Sequence, residues 1–290
     1  MVLKVEVKDK VMTMTISRPE IRNAWTEKLR DDICKAVDQA NKDPNVRAVI
    51  LTGDPAGNAF CAGMQLAGDK ESAAVLANDI PEGRKSDNST FRDGGGIASL
   101  AILNCTKPVI AAMNGAAVGV GMTLACCCDM RVMAEGSKCG FVFVRRGLAC
   151  ESISSWTLRK LVGTGKAMEL VLTGRVFKSE EAPPGLFNYV LPKDQVLAKA
   201  TELAREIADY TSAVGVSLSK FAILRNGNMS PEEAHLVESR MIHNALGSDD
   251  FEEGRKSFLE KRPPNFTTDP FRNLPEFYPW WVQIKTHPKL

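Results

Sequence analysis

The sequence has little net charge and few histidines. Its 290 residues carry 37 Lys and Arg against 35 Asp and Glu, a net charge of +2 at pH 7, without a long basic run. Proteins that bind nucleic acid present a basic patch or stripe, so a nucleic-acid partner is not expected. The three histidines, His235, His243 and His287, have no serine or cysteine in a nucleophile setting beside them. Catalysis by a histidine-activated nucleophile is not expected either.

The eight cysteines lack the spacing of a metal site. No C-x-x-C pair occurs, and Cys126, Cys127 and Cys128 are consecutive within an apolar stretch. Structural zinc sites bring paired cysteines together at short, regular spacings. We therefore expect no metal ion, and free thiols that pack as small apolar side chains in a reducing compartment.

The uncharged stretch 108–128 has the length of a membrane span. Asn114-Gly115 and Gly119-Val-Gly121 interrupt it, and such residues favour a turn between two buried elements. We predict a buried strand at 108–113 and a buried helix at 121–128 instead of a span. At the N-terminus, charged residues appear from the fourth position, so no signal peptide is expected.

Strands and helices alternate over the first two thirds of the chain, which predicts an α/β fold with parallel strands. The segment 67–96 is polar and rich in Gly, Asp and Ser, and we expect it to be mobile with some helix. Hydrophobic periodicity and turn residues predict strands at 2–7, 11–16, 47–52, 108–113 and 129–134, with helices capped by Thr26, at 97–103 and 121–128, and from about residues 152, 165 and 193.

The pattern becomes entirely helical after about residue 195. Ser230-Pro-Glu-Glu233 predicts a capping box at the start of a helix, and 249–261 predicts another helix that ends before Pro263-Pro264. We expect three regions: a core at 1–195, a helical oligomerisation region at 196–265, and an irregular C-terminal tail at 266–290.

Two glycine-containing turns stand out. Phe60-Cys-Ala-Gly63-Met64 follows a predicted strand, and Asn114-Gly-Ala-Ala-Val-Gly119-Val-Gly121 joins a buried strand to a buried helix. Glycine lets backbone N–H groups face a ligand, and a helix N-terminus favours an anion. The two turns can form an oxyanion hole, although each alone fits ordinary turn chemistry.

Five sequence blocks resemble the crotonase (enoyl-CoA hydratase/isomerase) family in order and spacing. They are Arg18-Pro-Glu-Ile-Arg-Asn-Ala24, Ala59-Phe-Cys-Ala-Gly63, Lys107-Pro-Val-Ile-Ala-Ala-Met-Asn-Gly115 with Gly119-Val-Gly121, Cys128-Asp-Met-Arg131, and Phe258-Leu-Glu-Lys-Arg-Pro263. The resemblance spans residues 1 to about 265. It implies a spiral of ββα units with a C-terminal helical trimerisation region, in a homotrimer or a hexamer of two trimers.

The resemblance also implies an acyl-CoA site. The N–H groups of Met64 and Val120 correspond to the oxyanion hole that holds the thioester oxygen. The adenine and pantetheine of CoA correspond to the loop after Ala24 and to a stretch that includes Ala62, Met64, Gln65 and Leu66. Phe258 and Lys261 correspond to a C-terminal pair that reaches a CoA phosphate, often in a neighbouring subunit. No cofactor is implied, because CoA is part of the substrate.

Both glutamates of typical family hydratases are absent. Their positions are occupied by Thr123 and Phe143. Glu151 corresponds instead to the catalytic acid of some isomerases in the family. At a helix start, its negative charge can also simply interact favourably with the helix dipole. A second acid such as Asp69 or Glu71, from the polar segment, remains open as its partner.

A single acid favours isomerisation of an enoyl-CoA double bond over hydration, with Glu151 as acid and base. The alternatives are a hydroxyacyl-CoA dehydratase of a secondary-metabolite or siderophore pathway and a non-catalytic CoA-binding homologue. The last residues, Pro288-Lys289-Leu290, resemble the Ser-Lys-Leu peroxisomal address. We expect a peroxisomal protein involved in fatty-acid β-oxidation, or otherwise a cytoplasmic one.

Overall fold

Two β-sheets and the helices between them build the core of the protein. The computed structural model describes residues 2–65 and 92–284. The strands in this part of the chain are β1 (Leu3–Lys8), β2 (Val11–Ile16), β3 (Ala48–Gly53), β4 (Ala59–Cys61), β5 (Val109–Met113), β6 (Ala116–Val118), β7 (Met130–Ala134), β8 (Lys138–Gly140), β9 (Val176–Lys178) and β10 (Tyr189–Leu191).

Helices alternate with the strands in the first two thirds of the chain, and the C-terminal third contains helices alone among its described elements. The helices are α1 (Glu27–Lys42), α2 (Gly94–Leu103), α3 (Val120–Cys126), α4 (Ser154–Thr173), α5 (Val196–Tyr210), α6 (Ala213–Arg225), α7 (Pro231–Leu246), α8 (Asp249–Glu260) and the short α9 (Pro270–Asn273). None of the helices in the described ranges is long and apolar enough to cross a membrane.

The strands divide between the sheets in a repeating order. The larger sheet has the order β1-β2-β3-β5-β7-β10, and the smaller one β4-β6-β8-β9. Only the β1–β2 and β8–β9 pairs are antiparallel. Each unit places one strand in the larger sheet, the next in the smaller sheet, and then a helix: β3-β4-α2, β5-β6-α3 and β7-β8-α4. The predicted α/β spiral of ββα units, followed by a helical C-terminal region, is confirmed.

Helix α1 forms where its sequence pattern predicts it. Thr26 Oγ1 accepts a hydrogen bond from the N–H of Leu29 at 3.3 Å, which caps the first turn. Leu29, Ile33 and Val37, spaced along one face, are buried in the core between the helices and the larger sheet. Burial of each such side chain stabilises the fold by roughly 1.5–3 kcal/mol.

Helix α5 covers the opposite face of the larger sheet. Its small residues Ala200, Ala204 and Ala208 are buried against Ala48 and Ile50 of β3 and the neighbouring strands. Alanine at each turn lets the helix axis approach the sheet closely. The first helix after the expected boundary at residue 195 thus packs on the core sheet; the boundary itself stays a prediction.

Two local predictions need correction. The glycines at 94–96 were expected to end the polar segment, but Asp93 caps a helix that begins at Gly94. The turn after β5 contains the short strand β6, because it pairs with β4 and β8. The two helices predicted from about residues 152 and 165 are confirmed, because α4 consists of two helical segments separated by a kink at Gly163, where φ is 76°.

The described part of the C-terminal tail is mostly irregular. Arg47 donates to the carbonyl oxygens of Phe266, at 2.5 Å, and Thr268, at 2.8 Å, and Lys107 forms a buried ion pair with Asp269 at 2.7 Å. Farther along, the ring of Trp281 packs 5.1 Å from that of Phe221 on α6. These contacts tie the tail to both the core and the helical region.

Candidate active site

Two loops meet at the carboxyl ends of neighbouring strands. Strands β4 and β6 are parallel, with Cys61 opposite Ala117. The chain after β4 passes Gly63, where φ is 96° and an added Cβ would lie 3.0 Å from the carbonyl oxygen of Val118. A Cβ at Gly121, in the first turn of α3, would lie 2.9 Å from Cβ of Cys61. The close approach of the two loops therefore requires both glycines.

The two predicted oxyanion donors, Met64 and Val120, lie on these loops. Val120 is the first residue of α3, so its N–H has no acceptor in a preceding helical turn. Met64 forms a parallel bridge with Trp25, in which the N–H of Trp25 donates to the carbonyl oxygen of Gly63 at 2.9 Å. That hydrogen bond uses Gly63 and not the N–H of Met64. Use of the two N–H groups as an oxyanion hole stays a prediction.

The carboxylate of Glu151 reaches both α3 and α2 from the turn before α4. Thr123 Oγ1 donates to Glu151 Oε1 at 2.9 Å, and the hydroxyl of Ser152 donates to Oε2. A Cβ added at Gly95, in the first turn of α2, would overlap Oε2 and lie 3.3 Å from Val120 Cγ2. Glu151 and Val120 are thus neighbours across Gly95, so the acid lies beside the predicted oxyanion turn.

The environment of Glu151 favours its protonated form. Burial raises the pKa of Glu151 to about 7, and the charge and hydrogen bonding of Asp93 add to the rise. Hydrogen bonds from Ser152 and Thr123 oppose it, because they stabilise the carboxylate. A carboxyl group with a pKa near neutral pH populates both protonation states, which suits a group that takes up a proton and returns it.

Asp93 is the acidic residue of this site that sequence reasoning missed. Its Oδ2 accepts hydrogen bonds from the N–H of Gly96 at 2.6 Å and from the N–H of Ser152 at 3.2 Å. The first bond is an N-cap, which an aspartate directly before the first residue of a helix can indicate in sequence. The second bond joins residues that are 59 positions apart, and no local sequence pattern predicts it. Asp69 and Glu71, considered as partners for Glu151, lie outside the described residues.

The sequence matches the family model described as enoyl-CoA hydratase/isomerase over residues 6–269. The chain belongs to this family. It is 40% identical over 260 residues to enoyl-CoA hydratase ACTT3 of Alternaria alternata, covering 89% of this chain and 83% of that protein. It is 34% identical over 267 residues to enoyl-CoA hydratase EchA19 of Mycobacterium tuberculosis, covering 90% and 95%.

Solved structures of the family have the same fold. A crystal structure of enoyl-CoA hydratase from Bacillus anthracis superposes with a TM-score of 0.80 at 27% identity, covering 92% of this chain and 99% of that one. The resemblance seen in the sequence blocks is therefore confirmed over nearly the whole chain. The protein is an enzyme of the enoyl-CoA hydratase/isomerase type, a family that acts on acyl-CoA thioesters.

Thr123 and Phe143, the two positions that the family resemblance matches to hydratase glutamates, hold non-acidic side chains near the site. Thr123 is fully buried and donates to Glu151. Phe143 is 6% exposed, and its ring lies 3.9 Å from the point where a side chain at Gly119 would begin. A polar but uncharged group and an apolar ring thus replace the usual acids around the turn that contains Val120.

Most of the predicted CoA-binding residues before the undescribed segment lie together. Arg18 donates to the carbonyl oxygen of Ala24 and to Gln65 Oε1, each at 3.2 Å. Ala62 is half-buried, and Met64 is exposed, as a surface that receives a ligand requires. Ala24 is buried, at 6% exposure. Leu66, the next residue of the predicted set, lies outside the described residues.

Phe258 and Lys261 lie apart from that group, at the end of α8. The side chain of Phe258 is 82% exposed, and Lys261 caps the helix in the left-handed region with φ 53°. Within residues 2–65 and 92–284, no hydrogen bond joins either residue to the predicted thioester site. Contact of the pair with a CoA phosphate stays a prediction.

The cysteines near the site are poor nucleophiles. All eight in the chain are free, and burial raises the pKa of Cys61 to about 11 and that of Cys127 to about 12. These two thiols are therefore protonated at neutral pH. In the part of the chain that the structure describes, no group of three or more His, Cys, Asp or Glu side chains is arranged to hold a metal ion.

Proposed function

We propose that this enzyme shifts the double bond of an enoyl-CoA thioester, with Glu151 as its acid and base. One observation carries the proposal: the half-buried carboxyl group of Glu151, with a pKa raised to about 7, lies beside Val120, and the N–H of Val120 has no acceptor in a preceding helical turn. A single group that carries a proton between two carbons is what a double-bond shift requires.

The reaction proceeds through an enolate of the thioester. In a 3-enoyl-CoA, the Glu151 carboxylate takes a proton from C2, and the electron pair moves onto the thioester oxygen as a dienolate. The N–H groups of Met64 and Val120 stabilise this negative charge. The protonated Glu151 then returns the proton at C4, which gives the 2-enoyl-CoA and restores the carboxylate. Loss of one such backbone donor typically costs on the order of 10²–10³ in rate.

Hydration of a 2-enoyl-CoA, or the reverse dehydration of a hydroxyacyl-CoA, is the second candidate. A specific observation favours it: Asp93 acts on Glu151 by charge and hydrogen bonding, so the site holds two carboxyl groups instead of the one expected from sequence. Two acids can divide the work of activating water and donating a proton. Similarity to relatives that are named enoyl-CoA hydratase also supports hydration as the reaction.

The test compares wild type with Glu151→Gln on 3-enoyl-CoA and 2-enoyl-CoA offered separately, followed by ultraviolet absorbance of the conjugated thioester. We expect a loss of about 10²–10⁴ in kcat for the double-bond shift in Glu151→Gln. The matched control is Glu169→Gln, which removes an exposed acid on α4 that pairs with Lys166 and Arg175. It should keep wild-type activity.

The two substrates separate the candidates. A wild-type enzyme that hydrates 2-enoyl-CoA but never moves the double bond would make hydration the correct reaction. Full activity of Glu151→Gln on both substrates would show that the site is misplaced.

We also propose that the protein assembles as a homotrimer or a hexamer through its C-terminal helices. Several large apolar side chains on α7 and α8 are exposed in the single chain, and their burial on association would be favourable. They are Leu236, Ile242, Leu246, Phe258 and Leu259. Assembly would also bring Phe258 and Lys261 of one subunit within reach of a neighbouring acyl-CoA.

A peroxisomal location is proposed on the last three residues alone. Pro288-Lys289-Leu290 differs from the Ser-Lys-Leu address at one position and lies outside the described residues. Fatty-acid β-oxidation would supply enoyl-CoA substrates in that compartment.

A further inference from the structure

The turn that carries Glu151 has a backbone conformation that side chains disfavour. Ser152 and Ile153 both have φ of 53°, in the left-handed region. Isoleucine is β-branched, and a residue of this kind at positive φ costs on the order of 1–3 kcal/mol unless its surroundings enforce it. The conformation directs the Glu151 side chain toward α3 and α2 before α4 begins. Some contact must therefore hold the turn in place.

Asp93 supplies that contact. Its Oδ2 accepts the N–H of Ser152 at 3.2 Å, directly after Glu151 in the chain. Ser152 is fully buried, and its hydroxyl donates to Glu151 Oε2. One residue, Ser152, thus donates to both carboxylates, through its N–H to Asp93 and through its hydroxyl to Glu151. The two acids are fixed relative to each other by this bridge.

Asp93 is itself held by the first turn of α2. The same oxygen, Oδ2, accepts the N–H of Gly96 at 2.6 Å, and the helix N-terminus favours a negative charge at this position. Gly95 leaves room for Glu151 Oε2 and the Ser152 hydroxyl, since a Cβ there would overlap both atoms. The turn that carries Glu151 therefore packs against the first turn of α2.

We propose that Asp93 is a positioning residue for Glu151, which anchors the left-handed turn at Ser152 and holds a negative charge against the catalytic carboxyl group. The inference rests on the proposed role of Glu151 and applies equally to isomerisation and hydration. Asp93 acts here through Glu151 and Ser152 and not on the substrate.

The groups that face Glu151 give this charge a definite effect. Among the described residues, the titratable groups that interact with Glu151 by charge are Asp93 at the start of α2, Cys61 on β4 and Cys127 next to α3. Burial raises the pKa of both thiols far above 7, so they stay neutral. Asp93 is then the charged neighbour in this set, and its negative charge adds to the effect of burial in raising the pKa of Glu151. Removing that charge must lower the pKa and extend the carboxylate form to lower pH.

The experiment measures kcat/KM against pH for Asp93→Asn in the full-length enzyme. Asparagine keeps an acceptor for the helix cap but loses the charge. We expect the acid limb of the profile, near pH 7 in wild type, to move down by about half a pH unit or more. We also expect kcat at the optimum to fall by about ten-fold or more, because the anchor of the Glu151 turn is weakened.

Two further variants give matched comparisons. Thr123→Val removes a hydrogen bond that stabilises the Glu151 carboxylate, so its acid limb should move in the opposite direction, to higher pH. Asp54→Asn changes another N-capping aspartate, which accepts from the N–H of Ala56 and lies outside the site, and should leave the profile unmoved. Asp93→Glu restores the charge and should return the limb toward pH 7.

The outcomes distinguish the two proposals. If Asp93→Asn folds with an acid limb and kcat equal to those of wild type while Glu151→Gln is inactive, Asp93 is only a helix cap and this inference is wrong. If Glu151→Gln keeps full activity, the proposed function itself is wrong. Should Asp93→Asn fail to fold, Asp93→Ser carries the same test, since serine caps helices about as well as asparagine.

Discussion

Replacing Gly95 with alanine tests whether the start of α2 matters for the stability of the helix or for the position of the proposed acid Glu151. An alanine inside a helix is more favourable than glycine by about 1 kcal/mol. At Gly95, however, the new Cβ would overlap Glu151 Oε2 and the hydroxyl of Ser152. Both are ends of side chains and not backbone atoms, so the cheapest response is for the Glu151 carboxylate to move away. We therefore expect a small effect on stability and a large effect on activity.

The size of both effects follows from the geometry. The carboxylate must retreat by about 1 Å to restore an ordinary contact distance. Misplacement of a catalytic group by about 1 Å costs about 10²-fold in rate. For stability, overpacking of about 1–3 kcal/mol opposes the gain in helix propensity, so the free energy of unfolding should change by no more than about 2 kcal/mol.

The assay compares kcat and thermal unfolding for Gly95→Ala and Gly94→Ala. Gly94 is the neighbouring residue of the same helical turn, and a Cβ there would meet the carboxylate end of Glu27, 2.6 Å away, far along a flexible side chain. Gly94→Ala should therefore keep activity within about three-fold of wild type, because the Glu151 carboxylate does not have to move. Wild-type kcat in Gly95→Ala would refute the placement of Glu151 against α2. An equal loss in both variants would point to the helix start and not to the carboxylate.

Four other predictions test separate parts of the molecule. Lys261→Glu should weaken binding of an acyl-CoA, more strongly at low ionic strength, because a cation near a phosphate is replaced by an anion. Unchanged affinity at low salt would show that Lys261 does not contact the phosphate. Asp269→Ala should lower the free energy of unfolding by about 3–5 kcal/mol in denaturant titration, since it leaves Lys107 charged and 1% exposed without its partner. Sedimentation at micromolar concentration should give a trimer or hexamer, and a monomer would contradict the proposed assembly. A fluorescent protein fused to the N-terminus should enter peroxisomes only while Pro288-Lys289-Leu290 is intact, and a diffuse signal with a free C-terminus would exclude that address.

Local sequence patterns predicted the elements that local interactions decide. Helix α1 begins at Glu27 because Thr26 caps it, and the capping box at Ser230 begins α7 at Pro231. Strand β3 matches its apolar run within one residue at each end. In each case the cap or the hydrophobic period lies within a few residues of the element that it specifies.

The features that the sequence analysis missed depend on distant partners. The three residues of β6 form a strand only because β4 and β8 lie on either side. The glycines at 94–96 look like a flexible linker in sequence, yet they form the first turn of a helix. Larger residues would not fit there, because an added Cβ would meet the side chains of Glu27, Glu151 and Asp93. The pairing of Asp93 with the Glu151 turn likewise joins segments 59 residues apart. Such contacts are set by tertiary packing, which no local pattern encodes.

The side chains that replace the usual acids bear on the choice between reactions. The Thr123 hydroxyl has one hydrogen, which it donates to Glu151 Oε1 at 2.9 Å, with the carbonyl oxygen of Val120 as an alternative acceptor at 3.2 Å. It therefore helps to place the acid but cannot carry a proton between carbons. Phe143, the other position that the family resemblance matches to a hydratase glutamate, puts an apolar ring near the turn that contains Gly119. An apolar wall excludes the water that hydration consumes but does not hinder a proton shift within the substrate. The arrangement therefore supports the proposed double-bond shift over hydration, with Asp93 acting through Glu151 and Ser152.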